Sequence, residues 1–236
     1  MSNIFRIEIA KENEIPDLAA LMIPTFAHFT VEAMLGNIDE PKAIEAAGQR
    51  HLRAWREHMD ETGRASGIKC VASDLETGEE VLAACAYWYI FSHPRSAVHM
   101  HRPNFLLSAD WVSEENDRRE KLRRSLQPVI DMRQKWLKGR GHAVLMFLAT
   151  DKAWRRKGAA TAIVRWGLDR CRELNVPAFL EASDEGAPVY ERLGFEVVDE
   201  VVMEIEGERA GFPAMMWWPP GTKEVDKRPA MACWTG

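Results

Sequence analysis

A chain of 236 residues, 46% hydrophobic and 28% charged, carries enough apolar side chain for one compact core, which excludes disorder, a collagen-like repeat and a disulfide-stapled miniprotein. Its 31 Lys and Arg against 36 Asp and Glu leave a formal charge of -5, which argues against a general nucleic-acid binder. The four cysteines, Cys70, Cys85, Cys171 and Cys233, form no C-x-x-C pair, and no apolar run approaches the roughly 20 residues of a membrane span; the expectation is a cytoplasmic protein with neither a membrane nor a nucleic-acid partner.

In chain order, Phe5 to Ala10 alternates as a strand does, and Ile15, Leu18, Ala19, Met22 and Phe26 then recur at helical spacing, with Pro16 admissible in a first turn. A second helical pattern, through Ala43, Ile44, Ala47, His51 and Trp55, runs from about Pro41 to Glu61 and stops at Gly63. The runs IKCVASD and VLAACAYWYIF, separated by ETGEE, read as an antiparallel hairpin. Residues 92 to 142 form an insertion: a loop, then a helix from Ser113 to Lys138 that contains Pro128. Between Arg118 and Arg140 stand nine basic residues against Glu120 and Asp131. That run is either a solvated face packed through Leu122, Leu126, Val129, Ile130 and Leu137, or a surface for anions.

AVLMFLAT, Ala143 to Thr150, is a continuous apolar run, hence a strand buried on both faces. DKAWRRKGAAT follows, and Ala160, Ile163, Val164, Gly167, Leu168, Cys171 and Leu174 then repeat at helical spacing. A strand, a basic turn with little side-chain bulk and a helix N-terminus make an anion site, because the first N-H groups of a helix have no partner within it and the dipole end is positive. Arg155, Arg156 and Lys157 add three charges before Gly158, Ala159, Ala160 and Thr161, a composition suited to a pyrophosphate. The turn has neither G-x-x-x-x-G-K-[ST] nor G-x-G-x-x-G, so a triphosphate P-loop and a Rossmann dinucleotide site are not expected. Downstream, PAFLEAS reads as a short strand, GAPVYERLGF as a short helix ended by Gly194, and FEVVDEVVMEI as a further strand, with Met215 to Trp218 adding a last one.

The R-x-x-G-x-A of Arg155, Gly158 and Ala160, followed by LEASDEGAPVYERLGF, resembles the two ordered motifs of the GNAT superfamily of acyl-CoA-dependent N-acyltransferases. The resemblance covers Ala143 to about Glu200. It implies a mixed α/β fold, a strongly twisted central sheet with flanking helices, in a single domain of residues 1–220 with the 92–142 insertion and a 221–236 tail. It also implies acetyl-CoA as acyl donor, held between two splayed strands at Val144 to Thr150 and Ala178 to Ala182. Backbone groups of Phe147, Leu148, Ala149 and Thr150 would pair with the pantetheine arm, the turn from Arg155 to Thr161 would take the pyrophosphate, and Tyr190 would protonate the departing thiolate. A phenol near pKa 10 is protonated at neutral pH and suits that role. Ser183 stands where the family often has Asn; it can donate one hydrogen bond to pantetheine or serve as a cap.

An amine acceptor must lose a proton, and Glu181 on the second splayed strand is the candidate base, with Thr150 and Asp151 able to orient a water or cap the turn. No Cys or Ser is marked as a nucleophile by a neighbouring base, so direct attack in a ternary complex is expected. His99 and His101 lack a convincing third ligand, and no metal is expected. The reading is acetyl transfer to a primary amine of a small molecule. The alternatives are a peptide or protein amine as acceptor, a non-catalytic acyl-CoA-binding protein, and a basic interaction module built on Arg118 to Arg140.

Overall fold

The alternation of extended and helical patterning becomes seven strands and five helices of five residues or more in the computed structural model, which describes residues 4–26, 42–59, 64–73, 78–95, 117–205 and 207–229. The strands are β1 (Ile4–Ile9), β2 (Arg64–Ser73), β3 (Glu80–Phe91), β4 (His142–Thr150), β5 (Ala178–Glu181), β6 (Glu196–Ile205) and β7 (Glu208–Trp217). The helices are α1 (Ile15–Met22), α2 (Ala43–Met59), α3 (Arg118–Leu137), α4 (Ala159–Leu174) and α5 (Ala187–Glu191). The fold is mixed α/β with mostly antiparallel strands and flanking helices, as the sequence led us to expect. The chain divides into two units, Met1–Ile90 with Leu145–Arg170, and Phe91–Val144 with Cys171–Gly236.

In the first unit the strands follow the order β1-β2-β3-β4, with antiparallel pairing of β1 to β2 and of β2 to β3. The central run of β3, Ala83 to Trp88, is buried on both faces, which is why it reads as unbroken apolar sequence rather than as alternation. Strand alternation sends Cys85 and Tyr87 into a cluster with Ile15, Leu18 and Met22 of α1. Trp88 points the other way, toward α4, where Gly167 gives it room: a Cβ at Gly167 would fall inside the indole. The register of β2 on β3 passes from Cys70↔Ala84 to Val71↔Leu82, so Ala83 is bulged out of the ladder. Its carbonyl accepts the Asp151 N-H at 2.9 Å and ties the end of β4 to β3.

The second unit takes the order β4-β5-β7-β6. β4 and β5 run parallel and are in register at Ala143↔Ala178 and Val144↔Phe179, while β7 pairs antiparallel with both β5 and β6. Of the helix expected from Ser113 to Lys138, residues 113–116 lie outside the described residues, and the described helix runs from Arg118 through Pro128 to Leu137. It packs on β6, where Lys135 Nζ and Trp136 Nε1 both bond Asp199 Oδ2, at 2.6 and 3.2 Å. Arg140 donates to the carbonyls of Asp226 and Arg228 at 2.9 and 3.0 Å and lies over the Trp218 ring, pinning part of the expected tail. The loop histidines His99 and His101 lie outside the described residues. Among the described residues no group of metal-ligating side chains occurs, and no helix is long and apolar enough to cross a membrane.

Among the described residues two histidines are buried, one in each unit. Burial, with Arg50 alongside, pushes His51 down to about 4, and burial likewise holds His142 at about 4 despite the bond between its Nδ1 and the Arg140 carbonyl. A histidine depressed in the folded state is protonated first in the unfolded chain, so its contribution is present above about pH 6.5 and is lost as pH falls toward 4. Denaturant titrations are expected to show stability falling by about 2 kcal/mol per histidine between pH 7 and pH 5, with His142→Asn removing part of that slope. Alanine at an exposed helical glycine gains about 1 kcal/mol, but Gly167→Ala is expected to lose about 1–3 kcal/mol in the same assay because the methyl has no space beside Trp88.

Candidate functional site

The basic turn belongs to the first unit. It begins where Asp151 leaves β4: the Asp151 carboxylate accepts the Ala153 N-H at 2.8 Å and its carbonyl accepts the Trp154 N-H at 2.9 Å, which curls residues 152–154 into a single tight turn. Thr150 and Asp151 therefore cap and anchor. Arg155 Nε reaches back to the Thr150 carbonyl at 3.5 Å, and Lys157 Nζ lies 4.7 Å from the centroid of Trp154, whose ring meets Phe5 of β1 edge-on at 6.1 Å. Two residues take left-handed backbone, Arg156 at φ 60° and Gly158 at φ 98°. Gly158 does so without a Cβ penalty, and its carbonyl accepts the Ala162 N-H at 3.0 Å, which makes it the residue from which α4 starts. The N-H groups of Ala159, Ala160 and Thr161 form the first turn of a 16-residue helix, with the side chains of Arg155, Arg156 and Lys157 exposed in front of them. That arrangement presents donors and positive charge to an anion.

Phe147, Leu148, Ala149 and Thr150 occupy the C-terminal half of β4, beyond the two residues that are in register with β5. Ala149 is buried in the α1 cluster and Phe147 packs against it.

Glu181, Ser183 and Tyr190 belong to the second unit. Tyr190 is buried in α5, and the reason is written in the Y-E-x-x-G-F sequence. Gly194, at φ 89°, lets its own N-H bond the Glu191 carbonyl at 2.9 Å and lets the Phe195 N-H bond the Tyr190 carbonyl at 3.1 Å, the paired bonds of a Schellman stop. The Phe195 ring then packs edge-on against Tyr190, centroids 5.8 Å apart, which is the apolar contact such a stop brings with it. Burial pushes the Tyr190 phenol up to about 12, so it holds its proton at neutral pH. Ser183 is exposed; its carbonyl accepts the N-H groups of Gly186 and Ala187 at 2.9 Å and its Oγ accepts that of Gly186 at 3.2 Å. The serine thus shapes the turn into α5 while its O-H remains able to donate.

Glu181 ends β5 in a bidentate pair: Arg133 of α3 donates from Nε to Oε1 at 2.8 Å and from Nη2 to Oε2 at 2.7 Å, with the two side chains 15% and 13% exposed. To take a proton, that carboxylate must give up one of these bonds. The sequence reading, which left the basic run as either a solvated face or a surface for anions, missed this role of Arg133, although Arg133 stands seven residues after the buried Leu126 and so shares its face. Three of the four cysteines lie among the described residues, and Cys233 lies outside them. Cys70, Cys85 and Cys171 are free and buried, and burial pushes them up to about 11, 12 and 12; none offers a thiolate nucleophile at neutral pH.

Residues 124–195 match the sequence model of the Acetyltransferase (GNAT) family. A protein of Stachybotrys chartarum named "Acetyltransferase" is 40% identical over 60 residues, 25% of this chain and 26% of that protein, so the chain spans about a quarter of the length of the curated relative it matches. The fold is similar to the solved structure of histone acetyltransferase HPA2 and related acetyltransferase from Corynebacterium glutamicum, with TM-score 0.51 and 18% identity over 95% of this chain and 100% of that one. It is likewise similar to arylalkylamine N-acetyltransferase 2 from Aedes aegypti, with TM-score 0.54 and 11% identity over 92% and 99% of the two chains. At these identities the likeness is one of fold.

The partly buried Arg133–Glu181 pair sets a test of its own. Arg133→Met should lower the unfolding free energy by about 3 kcal/mol by leaving the carboxylate uncompensated, and Glu181→Met added to it should restore most of that loss. Urea titrations of the two variants read both values.

Proposed function

We propose that this chain, whose residues 124–195 match the Acetyltransferase (GNAT) family model, transfers the acetyl group of acetyl-CoA to a primary amine of a small molecule. The observation that carries the reading is the turn from Arg155 to Thr161, where left-handed Arg156 and Gly158 deliver the start of α4 behind three cations. In this reading the turn binds the pyrophosphate of CoA, and backbone groups of Phe147, Leu148, Ala149 and Thr150 pair with pantetheine, to which the Ser183 hydroxyl donates.

Chemistry proceeds by direct attack. The neutral amine nitrogen adds to the thioester carbonyl, the carbon–sulfur bond breaks as the carbonyl reforms, and the departing sulfur takes the proton of the Tyr190 hydroxyl. The amine gives up its own proton to a base or to water. Glu181 can serve as that base by releasing one guanidinium bond from Arg133, which would hold the carboxylate in place while it carries the proton. The three described thiols, buried and protonated, favour a single transfer over a covalent acyl-enzyme on them.

Calorimetric titration with acetyl-CoA and with CoA should show saturable binding to the wild-type chain and none to Gly158→Glu, whose circular dichroism should match the wild type; no binding to the wild type sinks the reading. Initial rates with both substrates varied should give intersecting lines, and parallel lines would count against direct transfer. Tyr190→Phe is expected to lower kcat by about 10²-fold with little change in acetyl-CoA affinity. For Glu181→Gln, loss of the acidic limb of the kcat profile supports the base assignment, and an unchanged profile removes it.

A further inference from the structure

Tyr87 stands mid-strand in β3, buried at 4% exposure, on the face that meets α1 and α2. Its ring stacks on the His51 imidazole of α2, centroids 5.6 Å apart with 26° between planes, and meets the Phe147 ring of β4 edge-on at 6.4 Å. His51 in turn meets Phe147 edge-on at 6.2 Å, so the three rings form one aromatic cluster within the first unit. Aliphatic side chains close it, with Leu18, Met22 and Leu52 in the same packed group. In that setting the Tyr87 hydroxyl is fully buried and, among the described residues, has no hydrogen-bond partner.

Packing does not account for this oxygen. Phenylalanine would fill the same volume and leave no buried polar atom unpaired, and buried hydroxyls in folded proteins are paired as a rule. Burial keeps the phenol well above its ordinary range, so it is neutral throughout the working range, and the imidazole beside it is neutral as well. Apart from that imidazole, the described side chains packed with Tyr87 and Phe147 are hydrophobic. Those side chains offer a dication or a peptide ammonium no counter-charge, whereas a flat or aliphatic uncharged body would find among them aromatic faces and one hydrogen-bonding atom. The cluster also includes Phe147, whose backbone the proposed function assigns to pantetheine, so it adjoins the acyl donor within the same unit.

We infer that the Tyr87 hydroxyl is a recognition group for the acceptor, accepting an N-H from the attacking amine, and that this amine is borne on an uncharged aromatic or aliphatic body. The inference rests on the acetyltransferase reading and narrows its acceptor. Recognition needs no covalent step: the phenol keeps its proton, and the bond orients the nitrogen while its lone pair is left for the thioester carbon.

Three amines test it with the full chain and acetyl-CoA: 2-phenylethylamine, spermidine, and lysine amide blocked at its α-amino group. For the wild type, kcat/KM should be at least about tenfold higher for 2-phenylethylamine than for either charged-body amine. Tyr87→Phe should raise the KM for 2-phenylethylamine by about tenfold, the loss of one well-placed hydrogen bond, with the acetyl-CoA KM unchanged and Tm equal or higher. Transfer that proceeds in Tyr87→Phe with the acceptor KM unchanged would overturn the recognition role and leave the hydroxyl as an unpaired core atom. A preference for spermidine or the lysine amide would overturn the acceptor class. Absence of transfer to all three amines, with acetyl-CoA still bound, would overturn the inference together with the catalytic reading, whereas the first two failures leave catalysis standing.

Discussion

Where β4 ends is fixed by one backbone hydrogen bond, and the basic turn depends on that point. Ala83 is bulged out of the β2 ladder, so its carbonyl is left over from ordinary strand pairing and takes the Asp151 N-H. The next residues cannot continue as strand, because the Asp151 side chain and carbonyl bend the chain through Ala153 and Trp154. From there the left-handed residues Arg156 and Gly158 turn it into α4. A bulge on a neighbouring strand thus sets the origin of a helix and, with it, the place where unpaired N-H groups emerge. Glycine carries the second left-handed position at no steric cost, while Arg156 accepts the cost of a Cβ there and places a third guanidinium or ammonium in the same turn.

The net charge of -5 conceals a division of labour among the cations. In the basic turn Lys157 is laid on the Trp154 face and Arg155 is drawn back to the Thr150 carbonyl, so the charge cluster is shaped by the aromatic and the strand end beside it. In α3 the division runs along the helix. Lys121, Arg123 and Arg124 are exposed near its start, whereas Arg133, Lys135 and Trp136 spend their donors on Glu181 and Asp199. The second half of α3 is therefore a docked element of its unit. A bidentate guanidinium pair suits such docking because it fixes direction as well as distance.

Much of this was legible because local physics wrote it. The order of strands and helices follows from periodicity, and Gly158 and Gly194 stand at two of the positions where the backbone takes positive φ, the start of α4 and the stop after α5. The Y-E-x-x-G-F sequence around Tyr190 has a physical content the letters do not state: Gly194 and Phe195 build the stop that seats the tyrosine. Illegible were the features made by tertiary pairing. Arg133 and Glu181 are 48 residues apart, and nothing in either local pattern names the partner. The bulge at Ala83 is set by register against β2 and by Asp151, both remote in sequence. The close approach of Gly167 to Trp88 reads locally as a weak helix residue and makes sense only once the indole is placed.

Buried polar atoms sort the core into parts that packing explains and parts it does not. The thiols are explained, since a cysteine in an apolar core behaves as a small hydrophobe and burial keeps its proton on; Cys85 even finds an acceptor in the Leu18 carbonyl at 3.4 Å. His142 is explained by the Arg140 carbonyl and the Phe91 ring. Tyr190 has its helix stop. Trp88 needs its indole to fill the space that Gly167 leaves, so its Nε1, without a partner among the described residues, comes with a shape no aliphatic side chain reproduces. Tyr87 differs from all of these, because its hydroxyl adds nothing to the shape of the ring and a phenylalanine would pack identically. An atom that costs stability and serves neither shape nor backbone is the kind of feature binding maintains, and packing alone gives the Tyr87 hydroxyl no role in this core.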